Sequence, residues 1–259
     1  MKGQQYLVWF GYDGQRFHGL QPQSALPTAG GALKERIMQA AGRAPGALTF
    51  AARTDAGVHA LANLAGFRLP RDACDAGVLR QIEAWRPDGL YGVVVRPHER
   101  LLHARAEATA KLYRYRLHDG QPPESDADPY VWQITPALDV AAMRRAACRL
   151  VGTHDFSSFR SRRCSASSPV RTLQRVDVVD WGLDPHGGRR VVIDCLGDGF
   201  LRRMVRVIVG TLAEIGSGLR PPEAIDSILA ARHRDAAGVT APAHALTLVH
   251  VLSAHDASR

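Results

Sequence analysis

Short apolar segments of strand length alternate with amphipathic segments of helix length along the whole chain, and this alternation restricts the fold more than any other feature. In the first hundred residues the order is strand (4–12), helix (28–41), strand (48–52), strand (58–69), helix (72–85) and strand (90–95). In the first helical segment Ala32, Leu33, Ile37 and Ala40 share a stripe, with Lys34, Glu35 and Arg36 toward the other side. Asp72 is the expected N-cap of the second. This β-α-β-β-α-β order is the ferredoxin-like plan.

The rest of the chain repeats the plan with longer connections. A strand is expected over 103–118, a loop over 121–129, and a helix over 138–151 with Asp139 near its start. A loop rich in Ser, Arg and His follows over 152–169. Residues 172–181 and 189–196 read as a hairpin across DPHGG, 200–215 and 222–231 as helices, and 245–252 as a closing strand. The expected fold class is α+β. Two ferredoxin-like (RRM-like) halves with antiparallel sheets lie side by side, with a basic cleft between them. The first half spans 1–100 and the second 101–259, with the boundary near Arg100. One continuous α+β domain is the alternative.

Charge narrows the class of partner. The chain has 259 residues, a formal net charge of +8 and a pI near 9.8, a balance that favours a polyanion because Lys and Arg displace counterions from phosphates. Cys74, Cys148, Cys164 and Cys195 are widely spaced and no His stands at finger-like spacing, so no zinc site is expected. Reduced thiols in a cytoplasm are the simpler reading. The beginning, MKGQQYLVWFGYDG, has no signal-peptide pattern, and no segment reaches the roughly 18 apolar residues of a membrane span.

The most informative segment is AARTDAGVHA, residues 51–60, a charged turn between two strands. Such a loop can hold a catalytic group rigidly, although Asp before Gly is more often a turn residue bonding its own backbone. Asp55 has Arg53 two residues before it and Gly57 two after. In the helix expected over 200–215, Arg206 follows Arg202 by one turn, and Leu201, Val205 and Ile208 form the opposite, apolar side. These arginines read either as snorkelling side chains or as a functional set, with Arg202 and Arg203 meeting phosphates. Arg16, Arg53, Arg160, Arg162, Arg163 and Arg171 lie in or beside the loops and together suit an RNA backbone. Tyr113 and Tyr115 fall on one face of a strand. His59 and His154 are given no catalytic role.

Five segments around ARTDAGVHA resemble, in order, motifs of the TruA family of tRNA pseudouridine synthases. They are YDGQRFHGLQPQ (12–23), LHARAEATAKLYRYRL (102–117), DFSSFRSRRCSASSPVRTL (155–173), GFLRRMVRVIVGTLAEIGSG (199–218) and APAHALTLV (241–249). The resemblance implies conversion of uridine to pseudouridine at positions 38, 39 and 40 of the tRNA anticodon stem-loop, with no cofactor and no metal. It implies that Asp55 is the essential carboxylate, attacking C1′, acting on C6 or deprotonating the sugar. It implies that Tyr113 stacks on a flipped-out base, that Arg206 pairs with the carboxylate, and that the enzyme is a homodimer. The chain departs from the pattern at Leu20 (usually Trp), Ala51–Ala52 (usually with a Gly), Val207 (usually Asn) and Ala245 (usually Gly), so weaker packing of the Leu20 loop is expected. Two other classes compete. An RRM-like binder would need the Gly- and Phe-rich strand motif that KLYRY lacks, and a glycoside or nucleoside hydrolase would need a second acid, for which Asp13, Asp155 and Asp198 are available.

Overall fold

The computed structural model describes residues 3–73, 75–84, 89–98, 103–120, 128–135, 137–184 and 187–253. The described residues form a mixed α+β protein with mostly antiparallel strand pairing and six α-helices. The chain divides into two compact units, Met1–Lys111 with Thr247–Arg259, and Leu112–Leu246. The expected boundary at Arg100, most of the loop at 121–129, and Cys74 and Trp85 lie outside the described residues.

In the first unit, β1 (Gln4–Tyr12) pairs antiparallel with both β3 (His59–Leu69) and β4 (Leu90–His98). The long strand β3 changes partner along its other edge. Its C-terminal part pairs with β2 (Gly46–Phe50), and its first two residues pair in parallel with β10 (Leu246–Ser253), His59 opposite Thr247 and Ala60 opposite Leu248. The segment joining β2 to β3 carries ARTDAG, so this motif sits where the partner of β3 changes.

Helix α1 (Ala29–Ala41) begins where the Thr28 hydroxyl accepts from the Gly31 N–H at 3.1 Å and ends at Gly42, whose φ of 66° suits a residue without Cβ. It buries Leu33 and Ile37, and also Arg36, which is 1% exposed. Arg36 was expected to face outward. Instead its Nε donates to the carbonyl of Ile82 in the last turn of α2 (Ala76–Ala84), where helix carbonyls lack partners and cations are favoured. Asp72 does not cap α2 either. It lies in a 3-10 turn, Arg71–Ala73, and Asp75 takes the capping role by accepting from Val78 N–H at 2.8 Å.

The second unit is ordered β5-β9-β8-β7, with β6 (Trp132–Ile134) parallel on β5. The strand expected from 103 begins later. A helical turn, α3 (Ala104–Glu107), precedes β5 (Ala108–Asp119), because the Ala104 N–H is drawn to Thr49 Oγ1 rather than into a ladder. The expected loop at 152–169 contains strand β7 (Gly152–Asp155) and a 3-10 turn, Ser157–Phe159. The hairpin is β8 (Val170–Leu183) with β9 (Arg189–Gly197). Pro185 and His186 of its turn are outside the described residues. Helix α4 (Val140–Cys148) starts at Asp139, whose carboxylate accepts from Ala142 N–H at 2.8 Å. It packs on β8 and on α5 (Met204–Gly216), close enough that a Cβ at Gly216 would lie 2.7 Å from the Met143 sulfur. Helix α6 (Ala224–Ala231) follows. Helix α5 starts four residues later than expected, so Arg202 and Arg203 precede it and do not continue the Arg206 face. The cause is Arg203, whose φ of 63° is left-handed and breaks helical continuity.

Candidate active site

Asp55 is half-buried in the turn between β2 and β3. Its carbonyl accepts from Val58 N–H at 3.2 Å, and Gly57 closes the turn at φ 79°. The residues before it are held from three directions. Ala51 N–H donates to Leu64 O at 2.9 Å, and Asn63 Nδ2 donates to Ala52 O at 3.0 Å. The Thr54 hydroxyl is 2.8 Å from the Tyr12 phenol, which also accepts from Asn63. Asn63 is fully buried and Tyr12 nearly so, and burial pushes the Tyr12 phenol up to about 12, so it stays a neutral hydrogen-bonding group. A third tether comes from the 18–20 loop, where Leu20 N–H donates to Thr54 O at 3.3 Å while Leu20 O accepts from Gly30 N–H at 3.0 Å. Leu20 is fully buried. A Cβ at Gly19 would lie 3.1 Å from Thr54 O, a second reason besides its φ of 87° for glycine there. Tyr12, Thr54 and Asn63 were not singled out in the sequence. Strand β1 read as core, and nothing local marks a phenol whose partners lie 42 and 51 residues away.

Arg53 is exposed. His59 is 4% exposed, and its Nδ1 lies 3.0 Å from Gly14 N and 3.1 Å from Asp13 Oδ1.

In the second unit, Tyr113 is 6% exposed and meets Phe200 edge-to-face with ring centroids 5.1 Å apart. Tyr115, on the same strand face, is fully buried, and its hydroxyl donates to Pro242 O at 2.9 Å. Burial raises its phenol far above the ordinary value, against the opposing influence of Arg206. Arg206 is half-buried, with Nε donating to Ala241 O at 2.7 Å and its own carbonyl accepting from Ala241 N–H at 3.0 Å. Tyr115 and Arg206 thus both anchor one segment, 241–242. Val207 and Ala245 are both buried, and Ala245 O accepts from Arg116 N–H at 3.2 Å.

The other arginines gather around the 160–171 loop. Arg202 and Arg203 are exposed just ahead of α5, and the left-handed Arg203 costs roughly 1–2 kcal/mol of backbone energy. Ser161 N–H donates to Arg202 O at 2.9 Å, joining the two stretches. Arg160 is half-buried near Asp155. Burial alone would raise the Asp155 carboxyl. Hydrogen bonding from Ser157, with Arg232 and Arg160 nearby, overcomes this and holds it below the usual carboxylate range. Arg171 is half-buried and donates to Ser168 O at 3.0 Å. Arg162 pairs with Asp235, and Arg163 is exposed. Arg16 is exposed at the end of a 3-10 turn in the first unit. Asp13 and Asp198 serve local backbone, accepting from Gln15 N–H and Thr172 N–H. Among the described residues no group of three or more His, Cys, Asp or Glu is placed to hold a metal ion, and no helix is long and apolar enough to cross a membrane.

The chain thus carries a carboxylate on a tethered interstrand turn and, in its second unit, an arginine-rich loop surface. Comparison with known proteins identifies the class. The family described as "tRNA pseudouridine synthase" matches residues 146–252. The chain is 37% identical over 248 residues to tRNA pseudouridine synthase A of Roseobacter denitrificans, covering 95% of this chain and 94% of that protein. It is 37% identical over 242 residues to the enzyme of that name in Syntrophotalea carbinolica (93% and 92% covered), and 39% identical over 249 residues to that of Pseudomonas aeruginosa (93% and 82% covered). The chain belongs to the TruA-type tRNA pseudouridine synthase family, whose members are isomerases.

Proposed function

We propose that this chain isomerises uridine to pseudouridine in tRNA, at positions 38, 39 and 40 of the anticodon stem-loop, with Asp55 as the one essential carboxylate. The observation that carries this reading is the Asp55 turn. Its backbone is tethered through Ala51, Ala52 and Thr54 to buried groups of β1 and β3, which supports a carboxylate carried on a firmly held family motif. The chemistry breaks the N1–C1′ bond and joins C1′ to C5; C5 gives up its hydrogen as a proton and N1 takes up a proton, so the product is an isomer of the substrate. No electron acceptor is needed. A stacked base cannot be rotated in this way, so the target uridine is extruded. In this reading Tyr113 supports the flipped base and Arg206 keeps the carboxylate ionised. Arg53, Arg160, Arg171, Arg202 and Arg203 contact the RNA backbone.

Two ferredoxin-like halves, 1–100 and 101–259, are part of the same proposal. The antiparallel pairing of β1 with β3 and β4, and of β2 with β3, supports that plan for the first. A homodimer acting in the cytoplasm completes it. The exposed row Val179, Trp181 and Leu183 on alternate positions of β8 is a surface suited to a protein contact.

The test is tritium release from tRNA transcripts carrying C5-tritiated uridine. Stoichiometric release by the wild type, with pseudouridine mapped to positions 38–40, is the expected result. Free uracil in place of pseudouridine, or binding with no release, would overturn the proposal.

A further inference from the structure

Within the second unit, a depression of about 640 Å³ lies beside the start of α5. Five arginines line it, Arg162, Arg163, Arg202, Arg203 and Arg234, against two carboxylates, Glu214 and Asp235, an excess of three positive charges. Both carboxylates are already engaged. Glu214 accepts from Val239 N–H at 2.8 Å through Oε1 and from Arg220 Nε at 2.7 Å through Oε2, and Asp235 pairs with Arg162.

The walls are tied together rather than loosely draped. Ser161 N–H bonds to Arg202 O, and Arg202 Nη1 reaches Arg163 O at 3.4 Å. Arg234 is half-buried, with Nη2 3.1 Å from Thr240 Oγ1 and Nη1 3.2 Å from Ala237 O, so its guanidinium is held in place in the lining. Burial lowers its affinity for the proton, and neighbouring Arg162 adds to this despite Asp235 and Glu214. An incoming anion would offset both effects. Convergent guanidinium groups match phosphate oxygens in charge and geometry. The volume exceeds what one small anion needs and suits a stretch of sugar-phosphate backbone.

We propose that this depression is a phosphate-binding subsite for the RNA backbone, lined by the half-buried Arg234, held by Thr240, and by the exposed Arg163. The subsite positions the substrate and takes no part in the bond rearrangement. It rests on the reading that the chain acts on tRNA.

The experiment is a fluorescence-anisotropy titration of an unmodified, labelled tRNA transcript at several salt concentrations. The proteins are the wild type, Arg234→Gln, Arg163→Gln and the charge-matched control Arg145→Gln, exposed on α4. Arg234→Gln and Arg163→Gln are each expected to weaken binding about 5- to 10-fold at low salt. Each should also flatten the log–log salt dependence by about one phosphate contact. Arg145→Gln is expected to stay within about twofold of wild type. Arg163 is exposed, so its variant tests the subsite even if Arg234→Gln disturbs folding, which a thermal melt checks. Wild-type affinity and salt slope in both variants would overturn the proposal, as would an equal loss in Arg145→Gln, which would mark a net-charge effect. A parallel arm competes tRNA with inorganic pyrophosphate at constant ionic strength. If the variants lose pyrophosphate binding alone, the site takes free anions and the RNA assignment falls. Failure of the subsite leaves tritium release by the wild type intact, whereas failure of the functional reading abolishes it.

Discussion

The turn that carries Asp55 and the loops that carry the arginines are built by opposite means. Around Asp55 the tethers are short and buried: a phenol within hydrogen-bond distance of both a hydroxyl and a carboxamide, plus backbone bonds from two neighbouring segments. Around Arg202 and Arg203 most side chains are exposed, and many of the contacts are ion pairs or single bonds to carbonyls, such as Arg162 to Asp235 and Arg171 to Ser168. Exposed ion pairs each contribute about 0–1 kcal/mol, whereas a buried polar group left without its partner costs about 1–3 kcal/mol. The backbone of the Asp55 turn is therefore held in place. The charged loops retain side-chain freedom, which suits a backbone whose phosphates are read by charge more than by sequence.

The sharpest way to break that contrast is to remove the carboxylate. Asp55→Asn or Asp55→Ala should lower single-turnover pseudouridine formation by on the order of 10³-fold or more, with tRNA affinity within about threefold of wild type. Substantial turnover by either variant would remove the assigned role. Next in size is Tyr113. Loss of the ring in Tyr113→Leu should cost about 10- to 100-fold in turnover, and Tyr113→Phe, which keeps the edge contact with Phe200, only a few-fold. Equal losses would separate the residue from base stacking.

The tethering of the turn is tested by Asn63→Ala. This variant strips the donor from the buried Ala52 carbonyl and should destabilise the protein by roughly 2 kcal/mol in a urea titration. A change below about 0.5 kcal/mol would show that the network does not hold the loop. The smallest effect belongs to the charged region. The folded-state Asp155 carboxyl titrates below its unfolded value, so its contribution is full above the ordinary carboxylate pKa and fades as pH falls through the folded value. Asp155→Asn should thus cost about 1 kcal/mol at pH 7 and progressively less below about pH 4. A pH-independent difference would assign the loss to shape instead of charge.

Most elements were legible in residue order. The α1 and α4 boundaries follow from Thr28, Gly42 and Asp139, whose capping chemistry is local. Two of the places where expectation and structure part have a partner remote in sequence as their cause. Arg36 is drawn inward by the carbonyl of Ile82, and Ala104 is turned toward Thr49. The start of α5 is instead displaced by a left-handed arginine that no periodicity announces.

The same division holds for the site. Residue order by itself determined the family, through ARTDAGVHA and the five segments around it, and with it the choice of Asp55, Tyr113 and Arg206, because spacing and side-chain chemistry are properties of the chain. Tertiary structure alone decided which groups hold the Asp55 turn, that Tyr115 is tied to Pro242, and that Arg234 joins Arg163 around one depression. These are contacts between residues tens of positions apart, created when the sheet and helices pack, and a linear pattern carries no record of them.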